Sequence, residues 1–407
     1  MPDPHPTLTF HQCIGIGAYG EVYLADSHRP DGSTQQVAVK VLKEGLANGA
    51  QAVERLRDEG RMLAILDHPC ILLVHDLADI SGRTGLITEY VEGADLSWFG
   101  HPDRLIPARA ICEIMAQVAN ALDSAWNKPS PVTGNALNLV HRDIKPQNVR
   151  VTVGGSAKLL DFGIARTNEI HRDARTLAGD QVYTPGYVGP EVLAGDEQGP
   201  ASDIYALGAT LYLALAGEPL TANMNEKAQR SVMFLHKKYV VFLEDRLNKV
   251  RGPDLLRDLL RAMLSYWERD RPRAVDVQTR LVDLAEIIGG RTAVEWAQNV
   301  TFPPPENFPG ASMTGQTVRH EAVAVITESI IPKRREYAQS ELFPMFGSTD
   351  LRAPVSAIQP QDPWPPVEPV EPAVEPVDSY PRLYAMGLLA LGISLGLVLA
   401  VIVTLWS

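Results

Sequence analysis

One short span constrains this chain more than any other: HRDIKPQN at 141–148, followed thirteen residues after its asparagine by DFG at 161–163. Asp143 is suited to accept a hydroxyl proton and orient a nucleophile, and Asn148 to hold a metal ion beside phosphates. Lys145, two residues after Asp143, can neutralise charge that develops on a phosphoryl group in transfer. Asp161 then supplies a second metal ligand. Each group alone is common; their order and spacing are what carry the reading.

Upstream, GIGAYGEV sets Gly15, Gly17 and Gly20 in the pattern G-x-G-x-x-G, with Val22 two residues further on. Glycines let a backbone approach a phosphate closely and accept the torsion angles of a tight turn. Strand-like EVYLADS follows this turn, where a dinucleotide-binding fingerprint would open a helix. Lys40 ends VAVK, 20 residues after Gly20, on an expected strand. After a glycine-rich hairpin it is read as the ammonium that holds α- and β-phosphates. That ammonium needs a carboxylate, and the helical stretch at about 50–66 offers Glu54 and Glu59. Glu59 is preferred, because EGRMLAILDHPCI sets Leu63, Leu66, His68, Pro69 and Ile71 at the spacing expected after it.

Taken together, residues 10–288 resemble the catalytic domain of the eukaryotic-like (Hanks-type) serine/threonine protein kinases of bacteria. The resemblance implies an α+β bilobal fold, with a small β-rich N-lobe at about 10–86 and a larger helical C-lobe at about 87–288. It implies ATP as cofactor with Mg2+, or Mn2+ in its place, and proteins with Ser or Thr acceptors as substrates. ITEYVEG is similar to the hinge, with Thr88 as gatekeeper and Glu89 to Val91 offering backbone groups to adenine. VGPE at 188–191 resembles the family's APE, and RDRP supplies Arg271 as ion-pair partner of Glu191. Asp203, in SDIYALG, is expected to steady the catalytic loop, and Thr184 to brace Asp143 and Lys145. Lys145 itself points to Ser/Thr specificity.

Arg142 precedes the base, an arrangement that implies an activation segment ordered by phosphorylation. Thr176, mid-segment, is the preferred autophosphorylation site, with Thr167 as second candidate. Gly189 and Tyr183 depart from the family pattern, as does the long link WNKPSPVTGNALNLV into the catalytic loop. A scaffold that binds nucleotide without transferring phosphate stays open as an alternative. A small-molecule phosphotransferase is disfavoured by VGPE, the RDRP arginine and the DFG form.

Composition bounds the rest. Thirty-seven basic against 49 acidic residues leave a formal charge of −12, which argues against nucleic acid as a partner. Three scattered cysteines, Cys13, Cys70 and Cys112, form no disulfide or zinc pattern. Residues 289–384 are expected to be a disordered linker, because 353–381 hold nine prolines and three V-E-P units. Residues 385–405 carry no charge over 21 positions, long enough to cross a bilayer core of about 30 Å. Arg382 on the near side, with Tyr380, Tyr384 and Trp406 near the ends, suits a single-pass helix with the kinase lobes in the cytoplasm. With only Trp406 and Ser407 after it, the helix is expected to serve as an anchor without an extracytoplasmic domain. Partners with phosphothreonine-binding domains follow as a family-level expectation.

Overall fold

A computed structural model describes residues 6–322 except 18, 44, 46–48, 132, 163–183, 185 and 310. These lie within one compact unit, Met1–Ser348. Thr167, Thr176 and the apolar run 385–405 fall outside the described residues. Among those described, no helix is long and apolar enough to cross a membrane.

The N-terminal lobe grows from period-2 patterning. In β3 (Thr34–Leu42), Val37, Val39 and Val41 are buried on one face while Ala38 and Lys40 turn to the other, as alternation along a strand requires. β1 (Thr7–Ile16) and β2 (Gly20–His28) precede it as an antiparallel hairpin, with bulges in β1 after Phe10 and Cys13. β4 (Val74–Ile80) and β5 (Arg83–Glu89) extend the sheet. Leu8, Phe10, Tyr23, Val39 and Ile80 fill the interior, where the rings of Phe10 and Tyr23 meet edge to face at 5.3 Å. α1 (Gly49–Ile65) carries Ala52, Leu56, Leu63 and Ala64 into the core shared with the helical lobe.

After β5, β6 (Gly93–Asp95) and the short α2 (Leu96–Phe99) open the helical lobe. Its centre is α3 (Ala108–Asn127), which buries residues on almost every side between Ala110 and Leu122. β6 pairs with β7 (Val149–Thr152), and β7 with β8 (Ala157–Leu159), to form the sheet that presents the catalytic loop. α4 (Pro190–Leu193) leads to α5 (Pro200–Ala216), which starts with a proline in its first turn and stops at Gly217 in the left-handed conformation, φ 75°. α5 is apolar all round and correspondingly buried. α6 (Glu226–Met233), α7 (His236–Leu247), α8 (Asp254–Met263) and α9 (Ala274–Ile288) complete the lobe.

The expectation of a disordered linker from residue 289 is corrected over its first third. α10 (Ala293–Ala297) buries Trp296 against the helical lobe. Residues 300–309 and 311–316 run on to the N-terminal lobe, and β9 (Thr317–Ala322) pairs with both β1 and β4. The sheet thereby closes into a barrel of order β1-β2-β3-β5-β4-β9, with Met313 buried inside it. The physical reason is an open sheet face: Phe10, Tyr23 and Ile80 would otherwise be wet, and β1 and β4 would both be free edges.

Candidate active site

The glycine-rich turn between β1 and β2 is tied at its ends. Gly17 N–H donates to Gly20 O at 2.8 Å, and Lys43 holds the turn from below, Nζ to Gly17 O at 2.7 Å and N to Tyr19 O at 2.9 Å. A Cβ on Gly20 would stand 2.9 Å from Val41 O, so any side chain there would push β3 away. Gly15 pairs with Val22, and Val22 lies directly opposite Lys40. Cross-strand partners share a face, so the turn, Val22 and Lys40 look onto one cleft.

Lys40 Nζ donates to both oxygens of Glu59 at 3.0 Å and to Asp161 Oδ1 at 3.3 Å. Burial works against the ammonium most strongly, but the carboxylates of Asp161 and Glu59 outweigh it and hold its pKa above the ordinary value. Burial pushes the Glu59 carboxyl up, against the pull of Lys40, and Asp161 is held low chiefly by the Lys40 charge. Glu54, the rejected alternative, is exposed, and the ion pairs of Lys40 are with Glu59 and Asp161.

The catalytic loop hangs on two buried groups. Asp203 accepts from the amides of His141 at 2.7 Å and Arg142 at 2.9 Å, and burial raises its carboxyl to about 7 against those bonds. His141 donates Nε2–H to Leu160 O at 2.9 Å and accepts the Asp143 amide at Nδ1, 3.3 Å. A carbonyl only accepts and an amide only donates, so these bonds select the neutral Nε2–H tautomer. Burial accordingly pushes its pKa down to about 4. The ring also packs on Phe162, centroids 4.5 Å apart, which seats the phenyl of DFG in the core. Arg142 and Asp161 take positive φ, 67° and 44°, a conformation uncommon for residues with a Cβ and one that marks strained sites.

In front of this frame, Lys145 Nζ donates to Asp143 Oδ2 at 2.8 Å. Asn148 donates Nδ2–H to Asp143 O at 2.8 Å and to Oδ2 at 3.1 Å, leaving its Oδ1 for another partner. Among the described residues no trio of His, Cys, Asp and Glu is gathered to enclose a metal unaided. Asn148 and Asp161 nevertheless offer the hard oxygen atoms that Mg2+ prefers, and Mg2+ usually completes its shell with phosphate and water.

At the hinge, Thr88 is buried and its hydroxyl contacts Ala38 O at 3.3 Å and Glu89 O at 3.2 Å. The Glu89 amide is taken by Leu73 O at 2.9 Å and its carboxylate by Leu73 N at 2.8 Å and Lys158 Nζ at 2.6 Å. Val91 O accepts from Arg150 Nε at 2.7 Å. These bonds engage the Glu89 amide and the Val91 carbonyl and neither the Tyr90 nor the Val91 amide. Arg150, which also holds Gly93 O and Asp95, and Lys158 escaped the sequence reading; Arg150 stands only two residues after Asn148, and nothing in its neighbours marks it.

Glu191 and Arg271 form a two-pronged pair, Nη1 to Oε1 at 2.8 Å and Nη2 to Oε2 at 2.6 Å, with Ser202 Oγ adding a bond at 2.9 Å. Thr184 lines a small recess together with Asp143, Tyr187, Val188 and Gln198. It makes no hydrogen bond to Asp143 or Lys145, so the brace expected of it is not formed.

A β-sheet lobe and a helical lobe that meet at Lys40, Asp143 and Asp161 define a protein kinase domain. The model of the protein kinase domain family matches residues 8–280, and the chain belongs to that family. It is 32% identical over 295 residues to the serine/threonine-protein kinase PkaB of Streptomyces coelicolor, 70% of this chain and 65% of that protein. PknB of Mycobacterium leprae is 34% identical over 210 residues, 51% of this chain and 32% of its own. PknA of Mycobacterium tuberculosis is 35% identical over 210 residues, 50% and 46%. The chain thus spans less than two thirds of each of these relatives.

Proposed function

We propose that this chain is a serine/threonine protein kinase that transfers the γ-phosphate of ATP to protein hydroxyls, its own included, while tethered to the cytoplasmic face of a membrane. The observation that carries the reading is the assembled set itself: Lys40 paired with Glu59 and Asp161, and Asp143 bonded to Lys145 and Asn148. The Asp143 carboxylate is the group to receive the substrate hydroxyl proton. Lys145 offsets charge on the phosphoryl oxygens, Lys40 binds phosphate, and Val91 N–H orients adenine. Asn148 and Asp161 would hold Mg2+, or Mn2+, which supplies charge neutralisation on the phosphates when bound. The relatives, each described as a serine/threonine-protein kinase, support the acceptor class.

The membrane part of the proposal rests on the uncharged run 385–405. In this reading the run is a single-pass helix and the catalytic unit works at the cytoplasmic membrane surface. Thr176, with Thr167 second, is the proposed self-modification site, and a phosphothreonine-binding domain is the proposed reader.

Full-length protein incubated with ATP and Mg2+ and mapped by mass spectrometry tests the catalytic part: phosphate on Ser or Thr is expected, and phosphate on Tyr alone overturns it. Carbonate extraction of cell membranes tests the tether. The full chain should stay in the pellet and a chain lacking 385–405 should not; release of both refutes it.

A further inference from the structure

The segment after the helical lobe joins the two halves of the cleft. On the helical side, Trp296 is 5% exposed and Phe302 packs edge to face on Phe99 of α2 at 5.7 Å and on Trp296 at 6.1 Å. The contact is close: Gly155, at φ 83° in the β7–β8 turn, has no room for a Cβ, which would lie 2.4 Å from Ala293 O. On the sheet side, Phe308 N–H donates to Cys13 O at 2.9 Å, two residues before Gly15, and Gly315 N–H to Phe10 O at 2.9 Å.

Between these anchors lies FPPPENF, with Pro303, Pro304 and Pro305 consecutive. Proline fixes φ and a run of prolines is extended and stiff, about 3.1 Å per residue. The six steps from Phe302 to Phe308, extended in this way, span about 19 Å as a strut rather than a slack tether.

Beyond the strut, the chain grips the strands that flank the glycine turn. Ser312 Oγ accepts from Arg83 Nη1 at 2.7 Å and donates to Glu21 Oε2 at 3.2 Å. Glu21 is the residue after Gly20, and Tyr23 OH donates to the same carboxylate oxygen at 2.5 Å. Arg83 in turn donates Nε–H and Nη2–H to Leu42 O, at 2.8 and 2.6 Å. Ser312 thus stands at a junction of β2, β3 and β5 at the end of the sheet where the glycine turn projects, and Met313, 4% exposed, fills the barrel beneath.

We propose that residues 300–322 are a cross-lobe strut that positions the nucleotide-binding turn and Lys40 against Asp143, Asn148 and Asp161. Pro303–Pro305 set the spacing of the lobes, and Ser312 positions the turn through Glu21 and Arg83. This rests on the kinase reading above for its effect on transfer, but its effect on nucleotide binding does not require transfer. The strut acts through the turn and Lys40, so its action is read in how tightly ATP is held.

The test uses the full chain with three changes: Ser312→Ala, Ser312→Thr, and Pro303→Gly with Pro304→Ser and Pro305→Gly. Thr279→Ala on the outer face of α9 serves as control. ATP affinity by titration and the KM–kcat split by initial rates are measured on each. Ser312→Ala and the triple change are expected to weaken ATP three- to tenfold in Kd and KM, with kcat at saturation within twofold of the parent. Ser312→Thr, which keeps the hydroxyl, and Thr279→Ala are expected to match the parent. Unchanged ATP affinity in both Ser312→Ala and the triple variant overturns the proposal. So does a fall in affinity and kcat matched by an equal fall in folded fraction. Weakened ATP in a chain that binds but never transfers leaves the strut standing and removes the kinase reading instead.

Discussion

The ammonium of Lys40 stands 3.0 Å from each carboxylate oxygen of Glu59, nineteen residues away on α1, and 3.3 Å from Asp161. One cation therefore joins strand, helix and the start of the activation segment. Glu59→Gln keeps shape and a hydrogen-bond acceptor but removes the charge that centres Lys40. A misplacement on the order of 1 Å costs about 100-fold in rate, so transfer should fall by roughly 10- to 100-fold at saturating ATP. Initial rates with circular dichroism as a folding control decide it; a rate within twofold of the parent refutes the role given to Glu59.

Arg271 is fully buried at its side chain, and Glu191 nearly so, 0% and 8% exposed. Removing one partner of a buried pair strands the other charge, at a cost of about 3–5 kcal/mol. Arg271→Ala should lower unfolding stability by about that amount in urea titration. Arg271→Lys should lose part of it, because a single ammonium cannot reproduce the fork that meets both oxygens of Glu191 and also Ser265 O and Ala201 O.

His141 makes stability depend on pH. Its folded pKa is depressed to about 4 by burial, against about 6.5 in the unfolded chain. Between those values the unfolded state binds the extra proton, so this residue's contribution is whole above about pH 6.5 and is lost as pH falls toward 4, up to about 3 kcal/mol. Asp203, raised to about 7, works in the opposite sense over much of that window, holding its proton in the folded state. Comparison with His141→Gln cancels Asp203, which both proteins keep. The stability advantage of the parent over the variant should shrink steadily as pH falls from 6.5 to 4; a constant difference contradicts the assignment.

The cleft was largely legible because its chemistry is local. Asp143, Lys145, Asn148 and Asp161 sit within nineteen positions of sequence, and Gly15 to Val22 within eight. Lys40 and Glu59 needed only a strand and a helix between them. The strut was not legible, for physical reasons. β9 pairs Thr9 with Thr317, residues 308 apart, so nothing near it in sequence announces its partner. Its segment TVRHEA is mostly polar, and of the residues leading into it Met313 is the one fully buried in the barrel, with Phe308, Ala311 and Val318 only partly buried against it. Three prolines before it read as linker composition, although here they bridge two anchored ends. At the hinge, the fate of each backbone group depended on distant side chains: Arg150 occupies Val91 O, and no spacing rule foretold that.

The central claim is that Asp143 is the group that receives the substrate proton in an assembled site. The measurement that tests it most directly compares the full chain with Asp143→Asn, following phosphate transfer from labelled ATP and ATP affinity on the same samples. Asp143→Asn is predicted to bind ATP within about threefold of the parent and to transfer phosphate about 10²- to 10⁴-fold more slowly. Equal transfer by both proteins, or ATP binding without transfer by the parent, contradicts the account.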